Sequence, residues 1–170
     1  MNDITIAPAR TWHFAALREI ELAAFETLRA AGAVSGEPAA YSLEDLERFF
    51  REGLLLVAFT AEQQPVGFAG AHIEDNWLHI AEMDVHPAWQ RKGIGRRLLQ
   101  ALLSAGERRG LAGASLTTDR YAPFNAAFYA SLGFEQIKAE ALSPQLKSLL
   151  DAEAASGLDV SRRIAMQRSY

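Results

Sequence analysis

The chain has no cysteine among its 170 residues. That absence excludes disulfides, thiolate metal sites and a cysteine nucleophile, and it leaves the redox compartment open. Long apolar runs are missing as well. The longest, Leu54 to Phe59, has the length of a strand, far short of the roughly 20 residues of a membrane-spanning helix. Met1-Asn2-Asp3 lacks the basic region and apolar stretch of a secretory signal, so a cytoplasmic location is expected, with no membrane partner. Positive charge is not in excess either. A net charge of −4 argues against general nucleic-acid binding, which needs a basic face. His13, His72 and His86 fall on different elements, so no metal site is expected.

What is present is the pattern of one mixed α/β domain spanning residues 1–170, large enough to bury a core, with 49% hydrophobic and 22% charged residues. Strands are predicted at Ile4–Ile6, Leu54–Thr60, Pro65–His72, Trp77–Val85, Ala114–Thr118, Phe134–Ile137 and Arg163–Arg168. Thr11 is expected to cap a helix with Phe14, Leu17, Ile20, Ala24 and Leu28 on its stripe, and Ala31–Ala40, containing Pro38, reads as a loop. Ser42 and Asp45 form an acidic variant of a capping box for a second helix that Gly53 ends. Further helices are predicted from Gly95 to Gly110, from Pro123 to Leu132 and from Ser143-Pro144 to about Ala155.

The most specific signal is Val85-His86-Pro87-Ala88-Trp89-Gln90-Arg91-Lys92-Gly93-Ile94-Gly95-Arg96-Arg97-Leu98-Leu99. A strand runs into a basic glycine turn and then a helix N-terminus, where free N–H groups and the helix dipole favour a phosphate. A Walker loop would need Gly-Lys-Ser/Thr, and here Lys92 precedes the glycine. A dinucleotide fingerprint would need a third glycine near position 98, where Leu98 stands. The order Gln90, Gly93, Gly95 resembles instead the acyl-CoA signature (Gln/Arg-x-x-Gly-x-Gly/Ala) of the GNAT superfamily of N-acyltransferases. Pro123-Phe124-Asn125-Ala126-Ala127-Phe128-Tyr129 before Gly133-Phe134 resembles that family's late helix, in the subset that reads Trp-Asn-Ala-Pro-Phe-Tyr there. The tail from Leu146 to Met166 is similar to the same subset, and the likeness covers most of the chain from about Leu54 onward.

This resemblance implies a central, mostly antiparallel mixed sheet of six or seven strands flanked by helices. It implies acetyl-CoA as co-substrate, an amine acceptor as partner, and often a homodimer. The cofactor would be held by Gln90, Arg91, Lys92, Gly93, Ile94, Gly95 and Arg96 at the pyrophosphate, by the strand edge at Met83, Asp84 and Val85 along the pantetheine, and by Asn125 and Phe128. An N–H of that edge would serve the thioester oxygen. Tyr129 would be the acid to the CoA sulfur. Two bases compete for the acceptor proton, Glu82 and His79, which simple alternation puts on opposite faces of the strand unless a bulge intervenes.

The implied reaction is direct attack of a primary amine, of a small molecule or a peptide, on the thioester. The other reading is a non-catalytic acyl-CoA sensor on the same fold. The joint presence of Glu82, His79 and Tyr129 favours the enzyme. The first 50 residues, which shape the acceptor pocket in such domains, match only as strand-helix-helix. Trp12, Phe25 and Phe50 are candidates there for pocket or core. Glu74 and Asp75 read most simply as solvated turn residues, with contact to a cationic acceptor as the alternative, and Asp119-Arg120-Tyr121 as a loop that borders the cleft or is simply solvated.

Overall fold

The computed structural model describes residues 3–37 and 40–170, so Met1, Asn2, Pro38 and Ala39, and the expectations that fall on them, lie outside the described residues. Among the described residues seven strands form one sheet in the order β1-β2-β3-β4-β5-β7-β6. They are β1 (Thr5–Pro8), β2 (Leu55–Phe59), β3 (Pro65–Glu74), β4 (Trp77–Val85), β5 (Gly113–Asp119), β6 (Glu135–Gln136) and β7 (Arg163–Ser169). Every pairing is antiparallel except β4 with β5. The mixed, mostly antiparallel sheet is the one expected.

Two layers cover it. Helix α3 (Ile94–Arg108) lays Ile94, Leu98, Leu99, Leu102 and Leu103 against Ala58, Ala69, Leu78, Ile80 and Leu116 on one face. Each of those buried leucines contributes about 1.5–3 kcal/mol of apolar burial. On the opposite face α1 (Phe14–Ala30) and α2 (Leu43–Arg51) bury Phe14, Leu17, Ile20, Leu46 and Phe49 on Leu55, Val57 and Phe68. Helix α5 (Pro144–Ala155) lies on β7 through Leu146 and Ala165. The short α4 (Ala126–Ala130) carries Tyr129, which packs with Phe128 at the edge of the α3 layer.

Some local expectations are corrected. Thr11 does not cap α1. It lies in a single 3₁₀ turn (Thr11–His13), and Arg10 N–H is satisfied by His13 Nδ1 at 3.0 Å before the α-helix begins at Phe14. Helix α4 is confined to five residues instead of running from Pro123 to Leu132, because Asn125 takes a non-helical backbone (φ −107°, ψ −96°). Ser42 caps α2 as expected, its Oγ accepting Asp45 N–H at 3.2 Å. The Asp45 carboxylate takes the Ser42 hydroxyl at 2.7 Å.

The sheet opens where the site forms. β4 and β5 pair only at Trp77–His79 with Gly113–Ser115. Beyond that point β4 continues on β3 alone and β5 continues on β7, so the two parallel strands splay. A register shift marks the start of the splay: Gly70 faces Glu82 whereas Ala71 faces Ile80, which leaves Ala81 as the extra residue of a bulge. Such a bulge bends its strand and breaks the alternation of faces.

Candidate active site

The bulge decides where the two candidate bases go. Leu78, Ile80, Met83 and Val85 belong to the α3 layer. Ala81 belongs to the α1–α2 layer, and Glu82 and Asp84 reach Glu21 of α1. His79 lines the same side beside Phe49 of α2. Glu82 and His79 therefore share one face, and the opposite-face expectation from simple alternation fails because Ala81 adds one residue.

The open edge of β4 is polar. His86 N–H bonds Val66 C=O at 2.9 Å, so antiparallel alternation turns the N–H groups of Met83 and Val85 away from β3 and into the gap. Met83 N–H donates to Glu82 Oε1 at 3.1 Å. Gln90 Nε2 donates to Val85 C=O at 2.9 Å, so this side chain braces the turn onto the end of β4.

The turn ends on Gly93, whose φ of +79° suits glycine, and Arg91 also adopts a positive φ of 61°. The first intrahelical bond of α3 is Arg97 N–H to Gly93 C=O at 3.2 Å. The N–H groups of Ile94, Gly95 and Arg96 are thereby left at the helix end. A Cβ on Gly95 would lie 3.6 Å from Met83 Cε and 4.0 Å from Phe128 Cζ, so a larger side chain there would fill the space between the turn, β4 and α4. These groups fit a pyrophosphate and a narrow amide-bearing arm.

The basic cluster is less uniform than its sequence. Arg96 Nη2 donates to Ser131 Oγ at 2.9 Å and its guanidinium lies 5.8 Å from the Phe128 ring, which straps α3 to α4. Lys92 sits over Trp89 at 4.6 Å, and Arg97 reaches back to Ile4 C=O at 2.8 Å, away from the gap. Asn125 stands at the start of α4, half-buried. Tyr129 lies within electrostatic range of Glu82 and Asp84. Burial first, and then those two carboxyls, push its phenol well above the ordinary range, so it stays protonated as a hydrogen-bond donor.

Across the sheet from α3 lies a cleft of about 570 Å³, lined by α2, α5 and the exposed faces of β3, β4 and β5. His79 Nδ1 is 3.1 Å from Ser115 Oγ, and its ring lies 5.1 Å from that of His72. Burial, reinforced by His72 and Arg48, pulls the His79 pKa down to about 4. Glu74 and Asp75 are not merely solvated: Glu74 meets His72 at 3.4 Å, Asp75 bonds Gln145 of α5, and both line the cleft. Trp12 is 75% exposed and Phe50 packs on Phe14; neither lines the cleft, and nor does Phe25. Asp119 is neither cleft border nor solvated. It is fully buried, accepts Tyr121 and Ala122 N–H at 2.8 and 2.7 Å, and binds Arg162 at 2.7 and 3.0 Å, anchoring the segment before α4.

Two residues that the sequence reading passed over complete the site. Glu21 of α1 accepts Tyr41 N–H at 2.8 Å, and Tyr41 donates its hydroxyl to Ala81 C=O at 3.2 Å. Side-chain oxygens of Glu21, Glu82 and Asp84 all lie within 4.8 Å of one another. The signal for Glu21 was available: it stands four residues after Leu17 and three before Ala24, a carboxylate on an apolar stripe. Asp84, expected along the cofactor edge, turns its side chain to this cluster instead.

Among the described residues no helix is long and apolar enough to cross a membrane. The fold is shared with solved structures of low sequence identity. PaiA N-acetyltransferase from Thermoplasma acidophilum, in complex with coenzyme A, is 19% identical with a TM-score of 0.72, covering 99% of both chains. The ribosomal-protein-S18-alanine N-acetyltransferase of Escherichia coli is 20% identical with a TM-score of 0.67, covering 98% of this chain and 94% of that one. N-acetylglutamate synthase from Neisseria gonorrhoeae, complexed with coenzyme A and N-acetyl-glutamate, is 16% identical with a TM-score of 0.72, covering 99% of this chain and 35% of that one. The family model described as acetyltransferase (GNAT) family matches residues 14–134, beginning about forty residues before Leu54, where the likeness legible in the sequence starts. With most of its length inside that match, from the start of α1 to the residue before β6, the chain belongs to the GNAT acetyltransferase family.

Proposed function

We propose that this chain is an acetyl-CoA-dependent N-acetyltransferase that moves the acetyl group to a primary amine of a small molecule or a peptide by direct attack. The observation that carries the reading is the β4–β5 splay. It joins the bare N-terminus of α3 on one side to a carboxyl, Glu82, and a cleft on the other. PaiA N-acetyltransferase is solved with coenzyme A, N-acetylglutamate synthase with coenzyme A and N-acetyl-glutamate, and a third relative is a ribosomal-protein-S18-alanine N-acetyltransferase, in keeping with such an acceptor.

Acetyl-CoA supplies the activated acyl carbon and a thiol leaving group. The main-chain N–H groups of Ile94, Gly95 and Arg96 would bind the pyrophosphate, and the edge of β4 at Met83 and Val85 would align the pantetheine amides. Glu82 is the preferred base. His79, with its pKa near 4, is too weak to take a proton from an ammonium, whereas burial and the neighbouring Asp84 raise Glu82 well above the usual carboxylate range. Glu82 accepts Met83 N–H, so turning toward the amine would also free that donor of the β4 edge for the cofactor. Tyr129 keeps its proton and supports the sulfur by a hydrogen bond.

The test is free-thiol release from acetyl-CoA across a panel of amines, amino acids and peptides. Turnover with at least one acceptor, lowered about 10²–10⁴-fold with a flattened pH dependence in Glu82→Gln, is the expected result. Tight coenzyme A binding with silence across the panel would overturn it in favour of a sensor.

A further inference from the structure

The carboxyl cluster beneath β4 has more acid than one base requires. Glu21 and Asp84 are each only 9% exposed, and Asp84 Oδ2 is buried without a hydrogen-bond partner among the described residues. The nearby cations are committed elsewhere. Arg18 Nε donates to Tyr41 C=O at 3.0 Å, and Arg163 grips Glu153 at 3.0 and 3.1 Å and Thr117 at 3.3 Å. Three carboxylates so close in a poorly solvated site cannot all be ionised together, and an orphan oxygen beside two other carboxyls is where a shared proton would sit.

Resting on the acetyltransferase reading above, we propose that Glu21 and Asp84 are positioning residues that share protons with Glu82 and set the pH at which Glu82 accepts the acceptor's proton. The groups facing the cluster are Arg18 from α1, Tyr41 just before α2 and Asp45 within it, Tyr129 from α4 and Arg163 from β7. Burial is the largest influence on all three carboxyls. It lifts Glu21 to about 8 with Glu82 as the next cause, and Asp84 to about 7 with Glu21 adding to the rise. Arg163 is the cation that opposes the rise at Glu82.

The protons balance as follows. Glu82 as carboxylate takes one proton from the ammonium, the freed nitrogen lone pair bonds to the acyl carbon, and the carbon–sulfur bond breaks with its electrons on sulfur. The nitrogen then sheds a second proton. Of the two, one ends on the thiolate and one leaves through the cluster to solvent. Because burial and mutual repulsion make the cluster hold its protons to higher pH than free carboxyls do, the rate rises with pH as it empties.

The experiment pairs two readouts on the full chain. In ¹³C-carboxyl-labelled protein, NMR titration should show Glu21, Glu82 and Asp84 moving together, with protonation persisting to neutral pH. Asp84→Asn, and separately Glu21→Gln, should move the remaining carboxyls to lower pH. The ascending limb of kcat/KM should shift the same way, so that the variants retain a several-fold larger fraction of their plateau at pH 6.5 than the wild type. Independent titrations in the ordinary carboxylate range, or a limb that stays in place while only its height changes, would overturn the proposal. Absence of thiol release by the wild type would instead overturn the acetyltransferase reading, and the NMR titration would still decide whether the carboxyls share protons.

Discussion

Replacing Glu21 by glutamine should make the protein more stable, and increasingly so as pH rises. Glu21 lies on the buried stripe of α1, and its pKa of about 8 compares with 4.5 for an unconstrained glutamate. The folded chain therefore holds a proton there between about pH 4.5 and 8 that the unfolded chain has lost. With the folded value raised, this group's contribution is fully present below the unfolded pKa and is lost as pH rises through the folded one. At about 1.4 kcal/mol per pKa unit the ceiling is on the order of 5 kcal/mol, which residual solvation and relaxation reduce to about 1–3 kcal/mol. Glutamine keeps an oxygen to accept Tyr41 N–H, the bond that spans 2.8 Å in the wild type. Thermal unfolding from pH 5 to pH 9 should find the two proteins within about 0.5 kcal/mol at the acid end. At pH 9 the variant should melt roughly 2–12 °C higher. A difference independent of pH, or a variant that loses more than the wild type at pH 9, would refute the claim that a carboxylate is forced into a poorly solvated cluster.

Other perturbations separate the scaffold from the site. Gly113→Ala would place a methyl against Arg168 C=O, 2.6 Å from Trp77 Cζ3 and 3.0 Å from Ser169 Cα, at the point where β4 and β5 pair before splaying. Urea unfolding should report a loss of about 1–3 kcal/mol. Ser42→Ala removes the acceptor of Asp45 N–H at the start of α2 and should cost about 1 kcal/mol in the same assay. Burial favours protonation of Asp119, but Arg162 and the N–H groups of Ala122 and Tyr121 outweigh it and hold its pKa below the usual value. The stability it confers is present above the unfolded pKa and should disappear as pH falls through the folded one. Acid-unfolding curves of wild type and Asp119→Asn should therefore converge at low pH, and the variant should also bind coenzyme A less tightly because the segment leading to Asn125 and Tyr129 loosens.

Most of the architecture was legible because it rests on local signals. The alternation in Trp77–Val85, the Gly93 turn, the stripe of α3 and the Ser42 cap each state their own structure, and Gly93 and Gly95 state where an anion would sit. What was not legible depends on partners distant in sequence. The Ala81 bulge comes from pairing with Gly70 and Ala71, and it moves Glu82 onto the face of His79. The roles of Arg96, Arg97 and Asp119 depend on Ser131, Ile4 and Arg162, between 35 and 93 residues away. Glu21 was visible as a carboxylate on an apolar stripe, but its meaning required knowing which strand that stripe covers.

The account stands most directly on calorimetric titration of acetyl-CoA into the wild type and into Gly95→Leu. Gly95 has ordinary helical backbone and room for a Cβ, so the variant should fold, with its circular dichroism unchanged. Its side chain would fill the space between α3, Met83 and Phe128. The account predicts one acetyl-CoA per chain for the wild type and at least about a tenfold weaker affinity for the variant, a difference of about 1.4 kcal/mol. Equal affinity in both proteins, or no binding to the wild type, would contradict it.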